Sequence, residues 1–438
     1  MDNNMNLPQS KFPRVVIIGG GFGGISLAKK LLKHDVQTVL IDKHNYHTFQ
    51  PLLYQVSTSG LEPDSIAYPL RKIIRSSDRG YFRMAEVTFI DAEKQLVHSS
   101  IGEVTYDYLV IATGSRTNFF GNKSIEENSI WMKTVPQALN IRSLILENLE
   151  QAVITDDPEE KSALLNFVIA GAGPTGVELS GAIAELRNNI VAKDYPDLDA
   201  SQMNIHLIEG EKRVLPPMSE TASKKAAKFL QELGVQIHLN SKVESYDGTW
   251  VKTDTNLSLR THTFIWSAGV TGAPVKGLNA SAMIEKANRY EVNHFNQVNG
   301  YSNIFAIGDI AVMETKDYPK GHPMVAQPAI QQGKHLGKNI LKSIKGEKME
   351  PFEYFDKGTM ATVGRNRAVV DLGKYNFGGF FAWFVWMFVH LWFLIGFRNR
   401  LVTFFNWVYN YVNYDKAARL IIRPYKKNMK KALQDKEY

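Results

Sequence analysis

Two stretches of the chain decide its fold: RVVIIGGGFGGISLAKKLL at 14–32 and NFVIAGAGPTGVELSGAIAEL at 166–186. Each stretch joins a short run rich in β-branched residues to a glycine-rich loop and then to a helical pattern of apolar residues. This repeated order of strand, loop and helix predicts two βαβ units. We therefore expect an α/β protein with two Rossmann-like dinucleotide-binding domains.

Both loops follow the spacing G-x-G-x-x-G, which is weak evidence alone but stronger between a strand and a helix. The first glycine permits a tight turn, the second lets the backbone approach a pyrophosphate, and the third lets the helix pack against the strand. The pyrophosphate then lies on the N–H groups of the helix N-terminus. The predicted binding residues are Gly19, Gly21, Phe22, Gly23 and Gly24 in the first loop, and Gly171, Gly173, Pro174, Thr175 and Gly176 in the second.

An acidic residue ends the strand that follows each unit, Asp42 in QTVLIDKH and Glu209 in NIHLIEGE. A carboxylate at this place accepts hydrogen bonds from ribose hydroxyls, although a solvated acid at a strand end is the alternative. A carboxylate also repels a 2′-phosphate, so Glu209 favours NADH over NADPH. Two such units predict two dinucleotides, and flavin with nicotinamide is the common pairing.

Three further strand ends fit the same architecture. YDYLVIATGS and THTFIWSAG have the form of the returning strands that close each domain, and NIFAIGDIA places an acid after a strand and a glycine. That acid fits a flavin ribityl partner, with the N-terminus of a following helix facing the isoalloxazine; a helix-capping aspartate is the alternative. The predicted cofactor contacts at these strand ends are Ala112, Thr113, Gly114, Ala268, Gly269, Gly308 and Asp309.

Composition narrows the possible chemistry. The 438 residues contain no cysteine, which excludes disulfide staples, thiolate metal sites, iron–sulfur clusters and thiol redox mechanisms. We expect no metal site. The formal net charge is +7, and the segment from Arg398 onward carries ten Lys/Arg against three Asp/Glu, so the body is neutral. A basic tail beside an aromatic run indicates an anionic lipid surface more than nucleic acid.

The chain resembles the type II NADH dehydrogenases, single-subunit NADH:quinone oxidoreductases that pump no protons, within the two-dinucleotide-binding-domain flavoproteins. The resemblance runs almost end to end and is carried by NYHTFQPLLYQVSTSGLEP, GAGPTGVELSG, GDIA, AQPAIQQG and FDKGTMATVGRNRAVVD. It implies FAD at 12–125 and 271–345, an inserted NADH domain at 126–270, and a quinone-site and membrane-anchoring region at 346–438. Disulfide reductases and sulfide:quinone reductases of this fold need cysteines, so neither chemistry can operate in this chain.

The resemblance also implies four residues near the flavin and the quinone head group: Gln327, Gln331, Lys357 and Met360. Each implied site residue has a simpler alternative: surface glutamine for Gln327 and Gln331, a solvated cation for Lys357, and an ordinary core residue for Met360. Gln327 is also predicted to contact the flavin. We expect Glu178 in the first turn of the second helix, where it would relay protons or act only as a favourably placed acid. The remaining predicted cofactor contacts are Lys43, His47, Gln50 and Val87.

The stretch FFAWFVWMFVHLWFLIGF at 380–397 is 18 residues long and lacks charged residues, which just reaches the length of a membrane span. A span would separate the cofactor domains from the basic tail, and both favour the cytoplasmic side. Leu401, Phe404, Phe405, Val408 and Val412 recur at helical spacing in the next segment. We therefore expect two interfacial helices and a lipid contact over about residues 378–431.

The resulting prediction is a peripheral enzyme on the cytoplasmic face of a bacterial cell membrane. It would pass two electrons from NADH through FAD to menaquinone or ubiquinone, without a nucleic-acid partner, as a homodimer. Two alternatives remain open: a reductase of a soluble protein acceptor, which has no need of the aromatic end, and a nucleic-acid-binding flavoprotein, which the neutral body disfavours.

Overall fold

The computed structural model describes residues 5–75, 77–413 and 418–422. It divides into two compact units. Unit 1 comprises Met1–Thr48, Ala67–Arg116 and Val270–Lys357, and unit 2 comprises Phe49–Ile66, Thr117–Gly269 and Gly358–Tyr438. Each unit therefore contains one of the two glycine-rich loops.

The strands of the described chain are numbered from the N-terminus. They are β1 Arg14–Ile18, β2 Gln37–Asp42, β3 Tyr46–Thr48, β4 Ala67–Pro69, β5 Gly80–Met84, β6 Val87–Asp91, β7 Leu96–Ser99, β8 Gly102–Thr105, β9 Tyr108–Ile111, β10 Ser115–Thr117, β11 Ile130–Trp131, β12 Asn166–Ala170 and β13 Asn204–Ile208. They continue as β14 Val235–His238, β15 Val243–Tyr246, β16 Trp250–Thr253, β17 Ser258–Arg260, β18 Thr263–Trp266, β19 Val270–Gly272, β20 Met283–Ile284, β21 Arg289–Glu291, β22 Ile304–Ala306, β23 Ala311–Val312, β24 Thr359–Thr362, β25 Ala368–Leu372 and β26 Tyr375–Gly379.

The helices follow the same order. They are α1 Phe22–Leu31, α2 Leu53–Ser57, α3 Pro63–Ile66, α4 Leu70–Ile74, α5 Lys123–Asn128, α6 Val135–Ile154, α7 Pro158–Leu165, α8 Pro174–Leu186, α9 Ala192–Asp194, α10 Glu220–Glu232, α11 Ala326–Ile344, α12 Phe380–Phe393 and α13 Phe397–Asn413. Short 3₁₀ turns cover Gln50–Leu52, Ala200–Gln202, Ala280–Ala282, Glu285–Ala287 and Gly308–Ile310, and a π-turn covers Arg187–Val191.

Unit 1 is built on a five-stranded parallel sheet in the order β22-β9-β1-β2-β5. Val15 to Ile18 of β1 are buried on both faces, as expected of a central parallel strand. Helix α1 packs closely on α11, where a Cβ on Gly333 would meet the carbonyl of Gly23. The carboxyl ends of the parallel strands therefore gather at the first glycine-rich loop.

Unit 2 contains a second parallel sheet with β12 at its centre, in the order β11-β18-β12-β13-β14. Its long helix α6 begins at a capping box, in which Thr134 and Gln137 satisfy each other's backbone N–H groups. Two parallel sheets, each with a glycine-rich loop after its central strand, confirm the predicted pair of Rossmann-like folds.

The C-terminal part of unit 2 has a three-stranded antiparallel sheet, β24-β25-β26, followed by α12 and α13. The two helices agree with the prediction of two helices in this region. Among the described residues, no helix is both long enough and apolar enough to cross a membrane.

Candidate functional site

The first glycine-rich loop has the geometry that its spacing predicts. Gly19 has a φ of +109°, and a Cβ there would collide with the carbonyl group of Ala112. A Cβ on Gly24 would collide with the carbonyl oxygen of Gly19, so the loop closes tightly onto the start of α1. A Cβ on Gly21, by contrast, would meet no protein atom within 4 Å. The loop therefore leaves space only at its second glycine, where a pyrophosphate is expected.

Asp42 ties the end of β2 to this loop. The amide of Gly20 donates to its Oδ2 at 2.6 Å, and the amide of His44 donates to its Oδ1 at 2.7 Å. The carboxylate is therefore held in place by backbone hydrogen bonds, which rules out a freely solvated acid. Lys43, the next residue, is exposed.

His47 is buried beside the same loop and packs edge-on to Phe22, with the ring centroids 4.9 Å apart. Burial lowers the pKa of His47 to about 4, despite the hydrogen bond to the Gly20 carbonyl, so the ring is neutral. Its Nδ1 lies 3.1 Å from that carbonyl, which can only accept, so Nδ1 carries the hydrogen. Its Nε2 and the Thr113 hydroxyl are buried without a hydrogen-bond partner within the described structure. Two unpartnered polar atoms near an open loop fit a dinucleotide that supplies their partners.

Asp309 occupies the 3₁₀ turn Gly308–Ile310, which leads into strand β23 and not into an α-helix. The expected helix N-terminus directly after this acid is therefore wrong, because the chain extends to pair with β21. The capping alternative is wrong for the same reason. The hydroxyl of Ser115 donates to Asp309 Oδ2 at 2.5 Å, and the amide of Gly308 donates to the buried side chain of Gln332 at 2.7 Å. Ser115 and Gln332 were not predicted as site residues, although Ser115 follows the motif ATG and Gln332 lies within AQPAIQQG.

The two predicted glutamines of α11 bind the backbone of the segment at 355–357. Gln331 both donates to the Phe355 carbonyl at 2.8 Å and accepts from the Phe355 amide at 3.1 Å. Gln327 accepts from the amide of Lys357 at 3.2 Å. Both carboxamides are therefore anchored, and the Lys357 side chain is exposed.

The second glycine-rich loop repeats the first. Gly171 has a φ of +99°, a Cβ on Gly176 would collide with the Gly171 carbonyl oxygen, and a Cβ on Gly173 would meet nothing within 4 Å. The amide of Ala172 donates to Glu209 Oε2 at 2.6 Å, and the amide of Glu211 donates to its Oε1 at 2.9 Å. The space and the positioned acid fit a second dinucleotide.

Glu178 is the fifth residue of α8, which begins at Pro174, so its expected place in the first helical turn is wrong. The alternative of a simple acid at the helix N-terminus is wrong as well. Glu178 is only 8% exposed, and burial raises its pKa to about 8, although the amide of Thr362 hydrogen-bonds its carboxyl. At neutral pH it is therefore a buried carboxylic acid that holds a proton.

The other predicted residues fall at distinct places within their own units. Gln50 is exposed in a 3₁₀ turn of unit 2, Val87 is half-buried in β6 of unit 1, and Met360 is half-buried in β24 of unit 2. Ala112 and Gly114 follow β9, whereas Ala268 and Gly269 follow β18, as the strand pattern predicts. Their cofactor contacts stay predictions.

Helix α13 is amphipathic with its polar side turned toward the protein. Asn399, Asn406 and Asn410 donate from their amides to the segment at 60–64, and Trp407 donates to Gln55. The large apolar side chains that are exposed on α12 and α13 are Phe380, Phe381, Phe384, Phe388, Trp392, Phe393, Phe397, Leu401, Phe404, Phe405, Val408, Tyr409, Tyr411 and Val412. The predicted apolar face of α13 is confirmed as exposed.

Comparison with known families agrees with these sites. A model described as pyridine nucleotide-disulphide oxidoreductase matches residues 13–333, and one described as the NDH2 C-terminal domain matches residues 357–413. The absence of cysteine means that this chain keeps the fold of the first family without its disulphide chemistry.

Curated relatives carry the comparison further. A type II NADH:quinone oxidoreductase of Mycobacterium tuberculosis is 38% identical over 91% of this chain and 88% of the relative. One from Staphylococcus aureus is 28% identical over 81% and 89% of the two chains. The structure of NDH2 from Plasmodium falciparum in complex with NADH shares the fold, with a TM-score of 0.84 at 23% identity over 94% of this chain and all of that one. The chain is therefore an oxidoreductase that belongs to the type II NADH:quinone oxidoreductase family.

Proposed function

We propose that this protein transfers two electrons from NADH through FAD to a membrane quinone and pumps no protons. The balanced reaction is NADH + H⁺ + quinone → NAD⁺ + quinol. The observation that carries the proposal is the pair of glycine-rich loops with equivalent geometry, in a chain 38% identical to a type II NADH:quinone oxidoreductase. Each loop has an open second glycine and a positioned strand-end acid.

We assign FAD to the loop of unit 1 and NADH to the loop of unit 2. Bound FAD would supply the carrier that accepts a hydride and passes on two electrons. In unit 1, Asp42 would bind the ribose of the adenosine half, and the unpartnered Thr113 hydroxyl and His47 Nε2 would gain partners. In unit 2, Glu209 would bind the NADH ribose and discriminate against a 2′-phosphate.

For the quinone we propose contacts with Gln327, Gln331 and Lys357 of unit 1, and the role of Met360 stays a prediction. The backbone bonds of both glutamines hold the segment that carries Lys357, and the Gln331 carboxamide keeps one further hydrogen and one lone pair for a quinone carbonyl or hydroxyl. The exposed Lys357 ammonium would stabilise negative charge that develops on the reduced quinone.

Glu178 would supply protons to this reaction. A carboxyl whose pKa burial raises to about 8 is protonated at pH 7, so it holds a proton that it can release to a reduced product. The balanced reaction takes up one proton beyond the hydride of NADH, so a protonated group within the protein is a useful source.

The exposed apolar faces of α12 and α13 support binding to a bilayer surface. Their aromatic residues are typical of the interfacial region, and the exposed Arg398 at the start of α13, which also pairs with Asp64, would add a contact with lipid headgroups. The cytoplasmic face of a bacterial membrane and a homodimeric state stay predictions. The predicted lipid contact at 414–417 and 423–431 lies outside the described residues.

An anaerobic experiment tests the reaction in two steps. NADH is first added to the FAD-loaded protein, and a soluble short-chain quinone is then added. We expect NADH to bleach the flavin absorbance and the quinone to restore it. Flavin that NADH bleaches but quinone does not reoxidise would contradict the quinone assignment and favour a soluble protein acceptor.

Vesicle flotation tests the lipid surface separately. The full chain is expected to float with anionic vesicles, and the double variant F404S/F405S is expected to float several-fold less because it removes two exposed rings. The matched control is Phe89→Ser, which removes an exposed ring of unit 1. Equal flotation of parent and double variant would contradict the assignment of this face.

A further inference from the structure

His390 interrupts the apolar composition of α12. Every other residue of this helix is Phe, Ala, Trp, Val, Met or Leu, so the imidazole is the only side chain of α12 with a nitrogen or oxygen acceptor. The ring is half-buried, and it packs within unit 2 against Phe49 and Trp386. A polar atom in apolar surroundings costs free energy unless it has a hydrogen-bond partner. The partners of the two ring nitrogens therefore decide what this histidine can do.

The first nitrogen has a partner within α12. Nδ1 lies 2.7 Å from the carbonyl oxygen of Trp386, which can only accept, so Nδ1 carries a hydrogen. The imidazole stacks on the indole of Trp386, with the centroids 4.0 Å apart and an angle of 25° between the rings. Phe49 meets the imidazole edge-on at a centroid distance of 6.1 Å. The orientation of the ring is therefore set by one hydrogen bond and two aromatic contacts.

The second nitrogen is available to a ligand. Nε2 of His390 has no hydrogen-bond partner among the described residues, and it is not one of their buried polar atoms. Burial of the ring lowers its pKa to about 4, although the hydrogen bond to the Trp386 carbonyl opposes this shift, so the ring is neutral. In a neutral ring with hydrogen on Nδ1, Nε2 can only accept. It can therefore pair with a hydroxyl but not with a bare carbonyl.

The stacked indole carries a second unused polar atom. Trp386 is only 1% exposed, and its Nε1 has no hydrogen-bond partner within the described structure. The stacked pair of rings thus has one unused acceptor and one unused donor. A hydroxyl can serve either atom because it both donates and accepts, whereas a carbonyl can serve only the indole.

The surroundings of His390 restrict the kind of hydroxyl compound that fits. Phe388, Trp392 and Phe393, close to it along α12, are large and exposed, and they belong to the face proposed to contact the bilayer. A ligand that reaches Nε2 from this face must be apolar over most of its surface and must carry a hydroxyl. A quinol, the product of the proposed reaction, has both properties. A quinone has carbonyls in place of both hydroxyls.

We propose that His390 Nε2 accepts a hydrogen bond from a hydroxyl of the quinol and so forms a product-selective contact on α12. This inference rests on the proposed transfer of electrons to a quinone. The quinone makes no equivalent bond, because its carbonyl oxygens cannot donate. The contact therefore retains the reduced product more strongly than the oxidised substrate, and the quinol inhibits the enzyme through it.

Two redox-inert analogues isolate the hydroxyl in a binding experiment. A decyl-substituted hydroquinone monomethyl ether keeps one hydroxyl, the corresponding dimethyl ether keeps none, and neither forms a quinone without losing a methyl group. Calorimetric titration of the FAD-loaded full chain in detergent measures both affinities. We expect the ratio of the two affinities to be about three- to tenfold larger in the parent than in H390F, which corresponds to one hydrogen bond.

Comparing ratios between two proteins removes the different solubilities of the analogues, since these are the same for parent and variant. The matched control is Trp392→Phe, which alters an exposed ring of the same helix and should retain the parent ratio. If H390F lowers the Tm or the FAD content, H390L takes its place in the same comparison.

Steady-state kinetics at saturating NADH adds a readout that a purely structural role would not move. We expect H390F to raise the inhibition constant of decyl quinol by the same factor and to leave the KM for decyl quinone unchanged. Equal affinity ratios in parent and variant would overturn the inference even with normal quinone turnover, and so would an equal rise in both kinetic constants. Failure of quinone to reoxidise the parent flavin would instead count against the proposed function.

Discussion

The loops at 19–24 and 171–176 have the same backbone, with φ values of +109° and +99° at the first glycine and open space at the second. In each, the strand-end acid accepts an amide hydrogen bond of 2.6 Å from the residue after the first glycine. The helices that follow are not equivalent. At the fifth helical position α1 has the half-buried Ser26, whereas α8 has the buried Glu178.

The difference reflects what packs on each helix. Helix α1 is covered by α11, and the close contact at Gly333 leaves little space. Helix α8 is covered by α2 and by β24, which bring a tyrosine and a backbone amide toward the acid. The same loop geometry therefore occurs once before a helix without a buried acid at this position and once before a helix whose buried acid holds a proton.

The largest effect is expected from exchanging the second glycine of either loop. Gly21 and Gly173 have φ values of −74° and −69°, so alanine is tolerated by the backbone, but its methyl group would occupy the expected pyrophosphate space. We expect G21A to weaken FAD binding, and G173A to keep FAD but to raise the KM for NADH. Each change is expected to be roughly a hundredfold, because about 2–3 kcal/mol of hydrogen bonding is lost. FAD content after desalting and NADH titration measure the two effects, and the reverse pattern would contradict the cofactor assignment.

The next effect tests the difference between the helices. The Glu178 carboxyl has a folded pKa of about 8 and an unfolded value near 4.3, so the folded state binds more protons between these values. Stability is therefore present at low pH and is lost as pH rises toward 8. We expect the free energy of unfolding of the parent to fall by roughly 2 kcal/mol between pH 6 and 8, and that of E178Q to fall clearly less.

Urea denaturation of the FAD-loaded proteins at the two pH values measures this loss. The variant S26A, at the corresponding position of α1, is the matched control and should retain the pH dependence of the parent. A parent and an E178Q protein with the same pH dependence would show that Glu178 is not a buried acid.

A moderate effect is expected at the strand-end acids. We expect E209A to raise the KM for NADH about tenfold with little change in kcat, because ribose binding is lost equally in ground and transition states. D42A should instead lower the affinity for FAD and leave the KM for NADH of the loaded fraction unchanged. Steady-state kinetics normalised to flavin content separate the two, and unchanged kinetics in E209A would remove this residue from the site.

The smallest effect concerns the unpartnered hydroxyl of Thr113. If this group gains a hydrogen bond from FAD, T113V should weaken FAD binding about three- to tenfold, corresponding to about 0.5–1.5 kcal/mol. Thr38 has a similarly buried and unpartnered hydroxyl within strand β2, so T38V is a close control that should retain the parent affinity. FAD titration of the apoprotein measures both, and equal losses would indicate a general packing effect.

The features predicted well from sequence are those in which local spacing determines geometry. In each loop, at 19, 21 and 24 and at the equivalent positions of the second loop, the first glycine must turn, the second must leave space and the third must pack. The spacing predicts this because each glycine contacts a neighbour within five residues or an adjacent parallel strand. The helical spacing of the apolar residues on α13 likewise predicted which of its side chains are exposed. The cofactor contacts of Lys43, Gln50 and Val87, and the domain boundaries, stay predictions.

The features that sequence did not predict depend on partners far along the chain. Ser115 meets Asp309 across 194 positions, and Trp407 meets Gln55 across 352. No periodicity or motif joins such residues, because the contacts form only when separate elements pack together. The turn at Gly308–Ile310 was misjudged for a related reason, since pairing of β23 with β21 extends the chain there.

The sequence alone therefore determined that this protein has two dinucleotide-binding folds, that it lacks thiol chemistry, and that the segment at 401–412 has one apolar helical face. Those properties follow from residue types at short spacing. Only the tertiary structure decided that Glu178 is a buried, neutral acid and that Trp407 of α13 donates to Gln55. Burial from water, which raises the pKa of a carboxyl, is a property of everything that packs around it and not of its place in the chain.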